Sequence, residues 1–228
     1  MMGNNALAST VMKPSVSQQK FIKKLLPNIH KVNATILEKR ARLLALHQQY
    51  LTHQPFSVTD QQWLAQLTKD YKLMRFDINR DHDWTTLARR VDVIPPGLAL
   101  AQAANETAWG HSRFAKEGNN YFGQRCHTPG CGIIPKERSM GTSYEVKKFT
   151  SPLESIQSYV HNLNTNEAYL QLRLIREEMR DKNEVLTAID LTKGLTFYSE
   201  QGDQYTNMIQ NIINDYQLAQ HEIDQPSS

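Results

Sequence analysis

Glu106 is the residue of this 228-residue chain most open to chemistry, because it closes a stretch, Leu98 to Gly110, that carries no other charge. Pro95-Pro96 stops whatever precedes and pre-sets φ for a new first turn, and Gly110 stands where a left-handed cap would end a helix. Between them Leu98, Ala99, Leu100, Ala101, Ala103 and Ala104 put small or apolar side chains on nearly every side, the pattern of a helix that others approach closely. Glu106 is thus expected in the last turn of a buried helix, where the negative end of the macrodipole and the loss of water both disfavour its ionised form. A raised carboxyl pKa is what a general acid needs near neutral pH. A Glu at that position that faces solvent, or pairs with an arginine, would have no such role.

Further candidates follow at short range. After Gly110 comes a brief helical turn closed by Gly118, then Asn119-Asn120-Tyr121-Phe122-Gly123. Amides bond hydroxyl and N-acetyl groups in both directions, and aromatic faces cover the apolar sides of sugar rings. The same run also fits a turn with a core ring. Cys126 and Cys131 bracket His127-Thr128-Pro129-Gly130, a Pro-Gly turn able to bring the sulfurs together. In an oxidising compartment a disulfide is expected. Metal binding by Cys126, His127 and Cys131 is the rival, opposed by the difficulty of aiming adjacent Cys126 and His127 at one ion and by the want of a fourth ligand at a recognised spacing. Two free cysteines in a reduced cytosol are the remaining alternative.

The elements that must hold these residues are mainly helical. From Ser17 to about Tyr50, Phe21, Leu25, Ile29, Val32, Ile36, Leu43 and Leu46 keep a roughly helical period interrupted near Pro27, opposite a basic face of Lys23, Lys24, Lys31, Lys39, Arg40 and Arg42. This predicts one long or kinked amphipathic helix packed on the body, rather than one lying on anionic glycan or lipid. Further helices are expected over Thr59 to Leu73, capped by Thr59 or Asp60, and over Trp84 to Val91, with Trp63 and Trp84 in the core. Ser151-Pro152-Leu153-Glu154 is a capping box, so Glu154 reads as structural despite being an acid in the right region.

Composition is that of one globular domain plus an appendage, at 39% hydrophobic and 21% charged residues. A formal net charge of +3 could help at an anionic polymer and is far too small to argue for nucleic acid. No apolar run reaches membrane-spanning length. Met1 to Pro14 lacks a basic segment followed by an apolar one, so it does not read as a signal peptide. The expected organisation is a flexible segment at 1–16, a helical segment at 17–80, a catalytic domain at 81–220 and a flexible tail at 221–228.

The run Leu100 to Gly110, followed by Ser112, Phe114-Ala115 and Asn119-Asn120-Tyr121-Phe122-Gly123, resembles the signature of the peptidoglycan N-acetylglucosaminidases of glycoside hydrolase family 73, and within them a Bax-like bacterial group. The likeness runs from about Asp83 to about Leu218. It implies a mainly α, lysozyme-like helical body with a small β-hairpin lobe beside the cleft, the lobe being built from Tyr121 to Cys126 and Tyr144 to Phe149, which alternate like short strands. It implies Glu106 as general acid toward a β-1,4 glycosidic oxygen in cell-wall glycan. The second acid of such enzymes lies in the lobe, with Glu145 preferred over Glu137 because a paired strand would fix its direction, and the substrate's own N-acetyl group can replace it. Tyr198, in the turn Gly194 to Tyr205, would face the cleft and support sugar or water, with Tyr205 a core residue of the last helix. Asn120, Tyr121, Trp109 and Gln102 would line the sugar site. The resemblance further implies a monomer without metal or organic cofactor, acting on peptidoglycan in the periplasm or cell envelope. A lytic transglycosylase, or a non-catalytic peptidoglycan-binding scaffold, are the alternative functions.

Overall fold

The computed structural model describes residues 11–136 and 143–221. Glu137, the weaker candidate for the second acid, lies outside the described residues. The chain opens with α1 (Val16–Leu51), which runs unbroken through Pro27. Ser15 starts it with a capping box: its Oγ accepts from the Gln18 amide at 3.3 Å, and its own amide donates to Gln18 Oε1 at 2.8 Å. α1 buries Phe21, Leu25, Ile29, Val32, Ile36, Leu43 and Leu46 on one side, while Lys20, Lys23, Lys24 and Lys31 face solvent on the other. α2 (Val58–Asp70) is capped by Ser57, whose hydroxyl accepts from the Asp60 amide, and not by Thr59 or Asp60. The serine precedes the expected start because its extended backbone leaves the side chain free to meet that amide. α3 (Asp81–Arg90) buries Trp84 fully, whereas Trp63 is half-buried under the Arg42 guanidinium.

α4 (Pro96–Thr107) is the central helix, buried on almost every side as its composition dictates. α1, α8 (Ala188–Thr192), α9 (Asp203–Asp215) and a closing 3-10 turn (Leu218–His221) pack around it. After α4 come α5 (Arg113–Gly118) and three short strands, β1 (Arg125–Cys126), β2 (Gly132–Ile133) and β3 (Glu145–Lys147). The lobe is not a simple hairpin: β3 lies in the middle, antiparallel to both neighbours, with Cys126 opposite Glu145 and Ile133 opposite Val146. β2 had no alternating pattern to reveal it. It pairs because Gly132 lets the backbones close, a Cβ there falling 2.1 Å from the Val146 carbonyl oxygen.

α6 (Pro152–Thr165), a 3-10 turn (Glu167–Tyr169) and α7 (Leu170–Asp181) complete the body. Ser151 caps α6, and Glu154 Oε2 accepts from both the amide and the hydroxyl of Thr150, so this acid is structural. At the junction of α1, α7 and the α3–α4 link, buried Asp92 meets Arg40 at 3.4 Å, Arg176 at 3.8 Å and Arg180 at 2.9 Å. Burial alone would push the Asp92 carboxyl up, but the three guanidinium groups outweigh it and hold the pKa below its ordinary value. The fold is mainly α with a small antiparallel lobe, as expected. Among the described residues no helix is long and apolar enough to cross a membrane.

Candidate active site

The end of α4 is wound tightly. Ala108, Trp109 and Gly110 all take positive φ (48°, 58° and 82°), so the left-handed turn begins two residues before the glycine that was expected to make it. Such φ values cost about 1–2 kcal/mol at a non-glycine residue. Thr107 offsets part of that cost: its hydroxyl donates to the Ala103 carbonyl at 2.6 Å and accepts from the Gly110 amide at 2.8 Å. Trp109 then packs edge-on between Phe21 of α1 and Tyr216 after α9, at centroid distances of 5.6 and 4.6 Å. Its half-buried ring is a wedge that holds the turn. A bulky residue in a left-handed turn stays there only where packing fixes it.

Glu106, two residues before that turn, is partly buried, and desolvation pushes its carboxyl above the usual range. Hydrogen bonds from Tyr205 and Asn105 oppose the shift without cancelling it. The donors form a chain of fixed direction. Tyr159 O–H donates to Gln102 Oε1 at 2.6 Å, Gln102 Nε2 donates to the Tyr205 oxygen at 3.0 Å, and Tyr205 O–H donates to Glu106 Oε1 at 3.2 Å. Gln102 and Tyr159 are completely buried, so each link is also the only way to satisfy the other. Oε1 is thereby an acceptor, while Oε2 is turned toward the lobe. That oxygen lies against Gly123, where a Cβ would come within 3.2 Å of it. Gly123 is exposed and has φ +65°, so glycine here meets a steric and a conformational demand together.

Asn120 and Tyr121 set this geometry from beneath. Asn120 is buried; its Nδ2 donates to the Gln124 and Lys147 carbonyls at 2.8 and 2.9 Å, and its Oδ1 accepts from the Phe122 and Gln124 amides. Every polar atom of that side chain is used in holding the Gly123 turn on the lobe, so Asn120 does not present an amide to sugar. Tyr121 is buried against Phe21, with the Lys24 ammonium over its ring, and does not face the cleft either. Gln102 likewise acts through Tyr205, not on a ligand. These three expected contacts are corrected to supports of the site: a polar side chain buried by the tertiary fold takes the partners the fold supplies.

Tyr198 is half-buried and donates to the Phe122 carbonyl at 3.1 Å. Its ring stacks on Tyr205 at 5.3 Å and tilts against Tyr169 at 5.8 Å. It borders the site, while the direct bond to Glu106 comes from Tyr205, which is buried in the core of the last helix as expected and meets the acid from there. Tyr205 heads the apolar stripe Tyr205, Ile209, Ile213 of α9, and a phenol on such a stripe must find a polar partner. That signal was present but named no partner. The shape of the site therefore comes from Tyr198, Tyr205, Phe122 stacked on Tyr159, and Gly123.

Glu145 differs from expectation. It is buried, its Oε1 accepts at 2.9 Å from the amide of Gly130, inside the loop closed by the Cys126–Cys131 disulfide, and its Oε2 accepts at 2.7 Å from the amide of Gly132, which follows that loop and opens β2. Both oxygens anchor the lobe tip. Cys126, Cys131 and Glu145 bring ligand atoms within 4.8 Å of one another, but the sulfurs are bonded to each other and present no thiolate. The disulfide expected from the spacing is formed. A cavity of about 490 Å³ between α1 and α6, walled by Val32, Ile36, Lys39, Asp70 and His161, contains none of the groups around Glu106, so chemistry and not cavity size locates the site.

Comparison with known proteins meets this geometry. The family model described as mannosyl-glycoprotein endo-beta-N-acetylglucosaminidase, the glucosaminidase family, matches residues 82–218, which hold Glu106, its tyrosine chain and the lobe. Protein bax of Escherichia coli (strain K12) is 32% identical over 203 residues, covering 88% of this chain and 71% of that protein. No solved structure matches significantly. With the match spanning more than half of the sequence and every group that shapes the Glu106 carboxyl except those of α1, the chain belongs to the glucosaminidase family.

Proposed function

We propose that the protein is a peptidoglycan hydrolase, an endo-β-N-acetylglucosaminidase that cleaves β-1,4 bonds of cell-wall glycan with Glu106 as general acid. The observation that carries this is a partly buried carboxyl whose pKa is raised by desolvation, whose Oε1 is fixed by Tyr205, and whose Oε2 lies against the exposed Gly123. Oε2 delivers its proton to the glycosidic oxygen as the C1–O bond breaks, and the resulting carboxylate is stabilised by the Tyr205 hydroxyl. The group on the opposite face of the sugar is the substrate's own N-acetyl carbonyl. It can close on C1 without a second protein carboxylate, and water then opens the oxazolinium ring at C1 and gives a proton back to the Glu106 carboxylate. This role falls to the N-acetyl carbonyl because Glu145 is engaged by the Gly130 and Gly132 amides. Tyr198 walls the sugar site beside Phe122 and Gly123. The disulfide at the lobe tip supports a place in the periplasm or cell envelope, where such bonds persist.

The test is digestion of purified peptidoglycan by wild type and Glu106→Gln. Loss of general acid catalysis is expected to lower the rate by about 10²–10⁴-fold. Mass spectrometry should find reducing-end N-acetylglucosamine in the wild-type digest. Equal release of fragments by both proteins would remove Glu106 from the chemistry, anhydro-muramic ends would reassign the enzyme as a lytic transglycosylase, and binding without cleavage by either would make it a scaffold.

A further inference from the structure

Phe197 is the most exposed ring among the described core-class residues: 75% of its surface is open, whereas its neighbour Tyr198 is half-buried in the site. With Glu167, Ala168, Leu170, Gln171 and Leu174 it lines a groove of about 330 Å³. The groove is not isolated. Tyr169 lies between Ala168 and Leu170 in sequence and its ring is 5.8 Å from that of Tyr198; Tyr198 stacks on Tyr205 at 5.3 Å, and Tyr205 bonds Glu106. The Tyr169–Tyr198 pair is therefore a shared wall, with the candidate acid behind Tyr205 on one side and the Phe197 groove on the other.

We propose that this groove is a distal sugar subsite, in which Phe197 carries the apolar face of an N-acetylhexosamine unit further along the same glycan strand; this rests on the glycosidase reading above. The lining suits that occupant. A flat exposed ring flanked by two leucines covers the C–H face of a pyranose, and the Gln171 amide at the rim can bond hydroxyl or N-acetyl groups in both directions. The carboxylate of Glu167 is engaged by Arg90 at 2.7 Å and Arg173 at 3.5 Å, so the one charged residue of the lining is already paired and is not offered to an ionic ligand. Leu170 and Leu174 are only 39% and 36% exposed, and with one phenyl ring they make a patch far short of the ~1,200 Å² or more that a stable protein interface buries.

The experiment compares wild type, Phe197→Ala and Phe197→Trp, first as enzymes on glycan strands of increasing length. The same substitutions in a Glu106→Gln background are then titrated calorimetrically with β-1,4 oligomers of N-acetylglucosamine. Losing the ring should raise KM on long strands by about three- to tenfold, with kcat within about twofold and no change on the shortest cleaved oligomer. Binding of the longest oligomers should weaken by the same factor, and Phe197→Trp should restore both. Because Phe197 is exposed, all variants should melt with wild type. An unchanged length dependence in Phe197→Ala, or equal losses on short and long oligomers, overturns the subsite while leaving the glycosidase reading intact. If wild type cleaves nothing but oligomer affinity still depends on Phe197, the reading fails and the subsite stands. Absence of oligomer binding, or a change in sedimentation of Phe197→Ala that marks a second protein copy as the occupant, also overturns it.

Discussion

Burial and one hydrogen bond act on the Glu106 carboxyl in opposite directions. Desolvation raises its pKa, and the Tyr205 hydroxyl, which bonds the ionised form better than the neutral one, pulls it part of the way back. Removing that donor in Tyr205→Phe should leave the carboxyl protonated to still higher pH. A general acid is active while protonated and loses activity as pH rises through its pKa, so the basic limb of the pH–rate profile should move upward. The maximal rate should fall by about tenfold as the carboxyl loses its orientation. A profile unmoved in pH would mean that Tyr205 does not act on Glu106. The same raised pKa carries a stability cost, because the ionised form is disfavoured in the folded state at any pH above the ordinary carboxyl range. Such local cost is typical of residues tuned for function, and the αL turn at Ala108 and Trp109 adds to it.

At the scale of elements, the lobe is a small device held by three different bonds. β3 pairs with β1 and β2, the disulfide closes a loop whose ends are five residues apart, and Glu145 ties the loop tip to the central strand. Closing so short a loop stabilises by about 2 kcal/mol in the chain-entropy view. Glu145→Gln removes one of the two acceptor oxygens and should cost about 1–3 kcal/mol, seen as a lower melting temperature. Its effect on hydrolysis should stay within tenfold. A loss as large as that expected for Glu106→Gln, with the melting temperature unchanged, would return Glu145 to the reaction and displace the N-acetyl carbonyl from the role given to it here.

Over the whole molecule, α1 and the glucosaminidase region share one core: Phe21, Leu25, Ile29 and Val32 are buried in continuity with α4, α6 and α9. Phe21 also touches both Trp109 and Tyr121, so a helix outside the family match supports the turn after Glu106 and the one before Gly123. Asp92 is the polar counterpart of that core, joining α1, the α3–α4 link and α7 through three arginines. Asp92→Ala would leave those guanidinium groups in a buried place without their acid and should destabilise by about 3–5 kcal/mol, read as a lower urea midpoint. Because the folded-state pKa of Asp92 is lowered, its contribution is present above the ordinary carboxyl pKa and is lost as pH falls below it. The difference between wild type and variant should therefore shrink in acid. A difference independent of pH would assign the loss to packing instead.

Much of the architecture was legible because it rests on local rules. The apolar period of α1, the Ser-Pro-x-Glu start of α6, the glycine-bounded helix bearing Glu106 and the disulfide across a Pro-Gly turn all depend on residues within a few turns of one another. The raised carboxyl pKa was expected because the apolar faces of that helix call for burial, and burial is its cause. What remained hidden was which polar groups face sugar and which face the interior. Asn120, Tyr121 and Gln102 have the chemistry of a binding site, yet the fold turns each inward, and Tyr205 reaches Glu106 across 99 residues of sequence. Residue types and spacing decide what a side chain is able to bond. Only the packing of α1, α6 and α9 around α4 decides whether its partner is water, substrate or another part of the chain, because in a dense interior a buried polar atom takes whichever partner long-range contacts bring to it.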